Sequence, residues 1–130
     1  MEKELVLINL SNHPSANWDE EQKREFLHLE LTPPGSPELK IIDVPFPNVD
    51  PNATLLDIMH IAIEIVKELE KYNYRFIMVQ GEHTLTYQIV KELVAYRKKP
   101  VAATTQRIVT EKDGVKTSIF KFVKFRQYNL

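Results

Sequence analysis

The chain has 130 residues, 43% of them hydrophobic and 27% charged, with a formal net charge of -1. That length suits one packed core, predicting a single domain over residues 1–130, and near-neutrality excludes a global pull toward duplex nucleic acid or an anionic membrane. The absence of cysteine excludes disulfides, thiolate catalysis and cysteine-ligated metal sites, and fits a cytoplasmic setting.

The N-terminal stretch MEKELVLINL sets acidic residues before a short apolar run and has no small-residue cleavage site, so it reads as a first strand rather than a signal peptide. No apolar run approaches the roughly 20 residues of a transmembrane helix. Leu5 to Leu10 is apolar except for Asn9, as in a central strand covered on both faces. Ser11, Asn12, His13 and Pro14 end it. Asn17 and Glu20 have capping-box spacing, predicting a helix from near Trp18, with Asp19, Glu20 and Glu21 at the positive end of its dipole.

Thr32 to Pro37 is a loop. Leu39 to Val44 is a second strand, and the proline-punctuated segment from Pro45 to Asn52 is a rigid connection and a candidate pocket wall. Thr54 with Asp57 again has cap spacing. Leu55, Ile58, Met59, Ala62, Ile65, Val66, Leu69 and Tyr72 then recur in steps of three and four, the apolar face of a long helix. Phe76 to Gln80 is a third strand that turns at Gly81 into a helix marked by Leu85, Ile89, Leu93 and Tyr96 and closed by Arg97, Lys98, Lys99 and Pro100. A fourth strand starts at Val101, and Asp113-Gly114 between two β-rich runs signals a hairpin. Phe120, Phe122 and Phe125 break a strict period of two, which implies a bulge or an edge facing another subunit.

Strand and helix therefore alternate before a terminal hairpin. The fold class is α/β, Rossmann-like, with a mostly parallel sheet flanked by helices and a C-terminal antiparallel hairpin.

Ligands of such sheets bind at the carboxyl ends of the strands. A first strand beside the third would put Asn9, Ser11, Asn12 and His13 on one rim with the turn Gly81-Glu82-His83-Thr84 and with Thr86. There Gly81 would admit an anion close to the backbone, and the hydroxyls of Thr84 and Thr86 would donate to phosphate oxygens. The alternative for Gly81 and Thr84 is a turn and a helix cap. Thr104, Thr105, Gln106 and Arg107 end the fourth strand on the same rim, with Arg107 the best fixed cation for a phosphate. His13 is the candidate general acid or base. His28 and His60 read as surface or packing residues, and no metal-ligand spacing is present, so neither a metal nor a cofactor is expected.

INLSNHP at residues 8 to 14, VQGEHTLTYQIV at 79 to 90 and AATTQRIV at 102 to 109 give the chain a further likeness. It resembles the small stand-alone accessory proteins of type III CRISPR systems that carry a CARF-like Rossmann unit. The resemblance implies a homodimer that binds a cyclic oligoadenylate second messenger, usually cyclic tetra-adenylate, and either sequesters it or cleaves it as a metal-independent ring nuclease through a ribose 2′-OH. The lack of a lysine beside the glycine turn weighs against efficient cleavage more than against binding. Two other readings stand beside it. One is a non-enzymatic interaction module docking through the Phe120 to Tyr128 strand and the PFPNV loop. The other is an enzyme acting on a mononucleotide or small phosphate ester with Glu82 or His13 as base.

Overall fold

The computed structural model describes residues 4–129; Met1 to Lys3, read above with the first strand, and Leu130 lie outside the described residues. The elements are β1 (Leu5–Leu10), α1 (Glu20–His28), β2 (Lys40–Val44), α2 (Leu55–Leu69), β3 (Asn73–Val79), α3 (His83–Ala95), β4 (Lys99–Lys112) and β5 (Val115–Gln127). They build one five-stranded sheet in the order β2-β1-β3-β4-β5. The first four strands are parallel, and β5 runs antiparallel to β4.

The apolar run of β1 is central because it has a core on each side. Val6, Ile8 and Leu10 pack with Ile58, Ala62, Val66 and Leu69 of α2 and Leu85, Ile89 and Leu93 of α3. Leu7 points the other way, with Trp18, Phe26 of α1, Met78 and Val101. The sheet thus carries α1 on one face and α2 and α3 on the other, the arrangement that right-handed crossovers give when strand order reverses after β2. Adjacent strands β1 and β3 send their helices to opposite faces, so the crevice between their carboxyl ends is the topological switch point.

Local chemistry moves several boundaries from the sequence reading. Helix α1 starts at Glu20, because the Asp19 carboxylate, and not Asn17, accepts the Gln22 backbone N–H; Ser15–Asn17 forms a separate 3-10 turn. The capping box of Thr54 and Asp57 forms as the spacing predicts. On α2, Leu55 and Met59 face solvent, so only part of the periodic set is core. Strand β3 begins at Asn73, three residues early, and contains a bulge: Tyr74 lies opposite Val6 and Ile77 opposite Ile8. Arg75, in that bulge, reaches the buried Glu30 carboxylate, with Nε donating at 3.1 Å.

Strand β4 begins at Lys99 rather than Val101 and pairs with β3 only through Val101. Beyond that point β4 and β5 continue as a two-stranded ribbon to the Asp113-Gly114 turn. A bulge between Thr104 and Thr105, opposite Lys124 and Phe122, produces the slip in the phenylalanine pattern. No helix among the described residues is long and apolar enough to cross a membrane.

Helix α3 ends in a left-handed C-cap without glycine. Arg97 has φ 62, its N–H donates to Val94 O, and the Lys98 N–H donates to Leu93 O. An L side chain in this region costs roughly 1 kcal/mol. Arg97→Gly is therefore expected to raise stability by about 0.5–1 kcal/mol, read as a higher urea midpoint at unchanged slope.

Candidate functional site at the switch point

The loop after β1 is held from beneath by one buried carboxamide. Asn9 is 1% exposed. Its Nδ2 donates to His13 O at 2.9 Å and to Asp43 Oδ1 of β2 at 3.0 Å, and its Oδ1 accepts from Ser11 Oγ at 2.7 Å. Trp18 Nε1 donates to the same His13 carbonyl at 2.9 Å, and Ser15 Oγ donates to Asp43. Asn9 and Ser11, expected as ligand contacts, are thus corrected to supports: their polar atoms are already engaged and buried. The side chains of Asn12 and His13 are left exposed on the loop they brace.

The turn after β3 also differs from its expected role. A Cβ at Gly81 would overlap the ring of Phe46, which is 4% exposed and belongs to the core. Gly81 is therefore required by packing, and the PFPNV loop is a lid on this turn rather than a free surface. The Glu82 carboxylate caps α3, accepting from Thr84 N at 2.8 Å, Leu85 N at 2.9 Å and the Thr84 hydroxyl at 2.6 Å. The N–H groups offered to a phosphate in the sequence reading are bound to the chain's own carboxylate, which also removes Glu82 as a free base. Hydrogen bonds from the Thr84 hydroxyl and from the Leu85 and Thr84 amides hold the Glu82 carboxyl below the usual carboxylate range. Thr86 is buried, its hydroxyl without a hydrogen bond among the described residues, and with His83 it lines a separate depression beside Tyr87 and Tyr128.

A cleft of about 610 Å³ opens on the α1 side of the switch point. Asn12 and His13 come to it from the β1 loop, Asn17, Trp18, Asp19 and Gln22 from the start of α1, Gln80 from the end of β3, and Thr105, Phe120 and Phe122 from the ribbon. Gln80 is fixed by accepting the Ala103 N–H at 3.0 Å. Cross-strand register sets Arg107 opposite Phe120, the pair beyond Thr105 and Phe122 on the same ribbon face. The Arg107 guanidinium donates to Ser118 Oγ through Nε and Nη2 at 3.2 and 3.0 Å. Thr104 is tied to Lys124 in the bulge, and Gln106 lies opposite Lys121 on the other face.

Of the expected residues, then, Asn12, His13 and Thr105 meet in one cleft, Arg107 stands at its outer end, and Gly81, Glu82, His83, Thr84, Thr86, Thr104 and Gln106 do not line it. Asn17, Gln22, Gln80, Phe120 and Phe122 were not foreseen. Gln80, the polar residue closing an apolar strand at the glycine turn, was the nearest legible signal.

Fold and cleft define an α/β protein of strand order 2-1-3-4-5 with a polar-aromatic cleft at its switch point, extended by a β-ribbon. Residues 5–126 match the family described as the Uncharacterized protein MJ1673 family, and the chain belongs to it. No curated protein and no solved structure matches the chain.

Two outcomes follow from the β3–α3 turn. Gly81→Ala must displace the Phe46 ring and should lower stability by about 1–3 kcal/mol in urea unfolding. Glu82→Gln should be less stable than the parent at pH 7. Because the folded Glu82 carboxyl titrates below its ordinary value of 4.5, its stabilisation is complete above that value and fades as pH falls through the lowered one. The urea midpoints of the two proteins should converge below pH 4.

Proposed function

We propose that the chain binds a nucleotide-class ligand in the switch-point cleft, and that the ligand is a cyclic oligoadenylate, with cyclic tetra-adenylate the member that the family resemblance implies. The observation that carries this reading is the gathering of four carboxamides, Asn12, Asn17, Gln22 and Gln80, around one cleft whose ribbon wall presents Phe120, 69% exposed. Asparagine and glutamine pair bidentately with the N6/N7 edge of adenine, and an exposed aromatic ring offers its π-face to a base. Arg107, beside Phe120, supports a phosphate next to the bound base.

The role in type III CRISPR defence, a homodimeric state and a cytoplasmic location follow from the same proposal. Sequestration is the simpler outcome. Cleavage would break the P–O5′ bond as a ribose 2′-OH attacks its neighbouring phosphate. His13 is the imidazole in the cleft that could take the hydroxyl proton. The exposed apolar residues of the ribbon favour an interaction module as a second reading.

Isothermal calorimetry and thermal shift with cyclic tetra-adenylate, cyclic hexa-adenylate and AMP test the proposal. Saturating ring should raise Tm, since ligand at about 100 times its Kd adds about 2.7 kcal/mol. Gln80→Ala with Phe120→Ala should weaken binding at least about tenfold. Chromatography of the ring after incubation in EDTA separates the modes: shortened products lost in His13→Ala mean cleavage, and unchanged ring means sequestration. No stabilisation by either ring at millimolar concentration removes the reading.

A further inference from the structure

The near-zero net charge conceals a separation. The ribbon from Lys99 to Gln127 holds seven basic and two acidic side chains, a net of +5, so the rest of the chain carries -6. The two ribbon faces also differ. The face away from the cleft alternates through Gln106 and Lys121, Ile108 and Ile119, Thr110 and Thr117, then Lys112 and Val115. It bears apolar groups at its centre, lysines at both ends and no carboxylate. Ile119 is 55% exposed and Val115 64%.

A second face lacks a partner. Leu55, Leu56, Met59 and Ile63 form a solvent-facing apolar stripe on α2, the first two 65% and 63% exposed. The stripe is outside the helix's core face, which is formed by Ile58, Ala62, Val66 and Leu69. Asp57, Glu64 and Glu68 give the same helix three carboxylates against Lys67 alone. The stripe begins where α2 begins, at the carboxyl end of the sheet, the end beyond which the ribbon projects. The bare ribbon face looks to the side that α2 and α3 cover, because the opposite ribbon face holds Thr105 and Phe122 over the α1 side.

We infer that a second copy of this chain covers both faces: the basic-apolar ribbon of each protomer docks on the acidic-apolar α2 stripe of the other. Apolar area on each face supplies the association, and opposite charge sets which faces meet. Pairing of ribbon with ribbon along the free β5 edge is disfavoured, because it would bring together edges that each carry Lys116, Lys121 and Lys124. A two-fold axis makes the exchange reciprocal, so one kind of contact occurs twice and the assembly closes. This goes beyond the cleft reading and beyond a homodimer as such, since it assigns the faces, and neither face contributes to the cleft.

Sedimentation velocity of the full chain tests it, with Ile119→Asp on the ribbon and Ile63→Lys on α2. Both positions are about half exposed, so both variants should fold, which circular dichroism and urea midpoints check. The parent should be a dimer in the micromolar range that weakens as salt rises. Each variant alone should dissociate at roughly tenfold or more higher concentration than the parent. An equimolar mixture should recover dimer, because one ribbon–stripe contact is intact and the other now pairs Asp with Lys. A parent that is monomeric at about 100 µM overturns the inference. So does a dimer that neither substitution weakens, or a mixture no more associated than the separate variants. Ring binding by the monomeric variants would uphold the cleft reading alone. A dimer that ignores every nucleotide would remove that reading and leave this one.

Discussion

One buried carboxamide determines whether this protein has a cleft. Asn9 sits within the central strand, where a hydrophobic residue would pack equally well, yet it uses both amide hydrogens and its carbonyl to tie β1, the loop that follows and Asp43 of β2 together. An amide buried to this degree is tolerated only when satisfied, since an unpaired polar group costs about 1–3 kcal/mol. The bonds thus specify the path of residues 11–15 as well as stabilising it. With Trp18 donating to the same His13 carbonyl, the loop becomes a fixed rim from which Asn12 and His13 can act without first being ordered.

The other half of the switch point is closed by the chain itself. A helix N-terminus after a glycine turn would ordinarily draw an anion, but here Glu82 supplies the carboxylate and Phe46 fills the space above Gly81. Recognition therefore shifts from backbone amides to side-chain amides and aromatic rings on the α1 side, and it becomes a matter of base edges and π-faces more than of phosphate capture. This pattern accords with the absence of a lysine at the turn, because no phosphate need be neutralised there.

The legible part of the fold was the part determined by local periodicity and caps. The LVLINL run, the Thr54–Asp57 box and the Asp113-Gly114 turn each act over a few residues, and the order of strands and helices follows from them. Leu55 and Met59 misled because a helix with two apolar stripes has the same spacing whether one or both are buried. The roles of Asn9, Gly81 and Glu82 depend on partners 34 residues away in Asp43, 35 residues away in Phe46, and on a side-chain rotamer that chooses the helix end over solvent. None of these leaves a periodic trace. Phe120 and Phe122 entered the cleft through the same bulge that disturbed their alternation, so the slip marked the place without saying what it served.

The ribbon is where composition and structure diverge most. Its root is well held: Phe125 stacks at 5.0 Å from both Phe26 and Phe122, and Trp18 lies 5.4 Å from Phe26. Past Thr105 the aromatic chain stops, and two strands continue with neither a third strand nor a helix on the face away from the cleft. An isolated two-stranded ribbon in water is marginal at best. Its backbone pairing reaches the turn, yet the side chains that should pay for that order, Val115 and Ile119 among them, are still in solvent. A chain averaging to a charge of -1 can nevertheless present a strongly basic arm and an acidic body, because net charge records the sum and not the distribution. What the ribbon lacks is a surface both apolar and acidic, and α2 carries one.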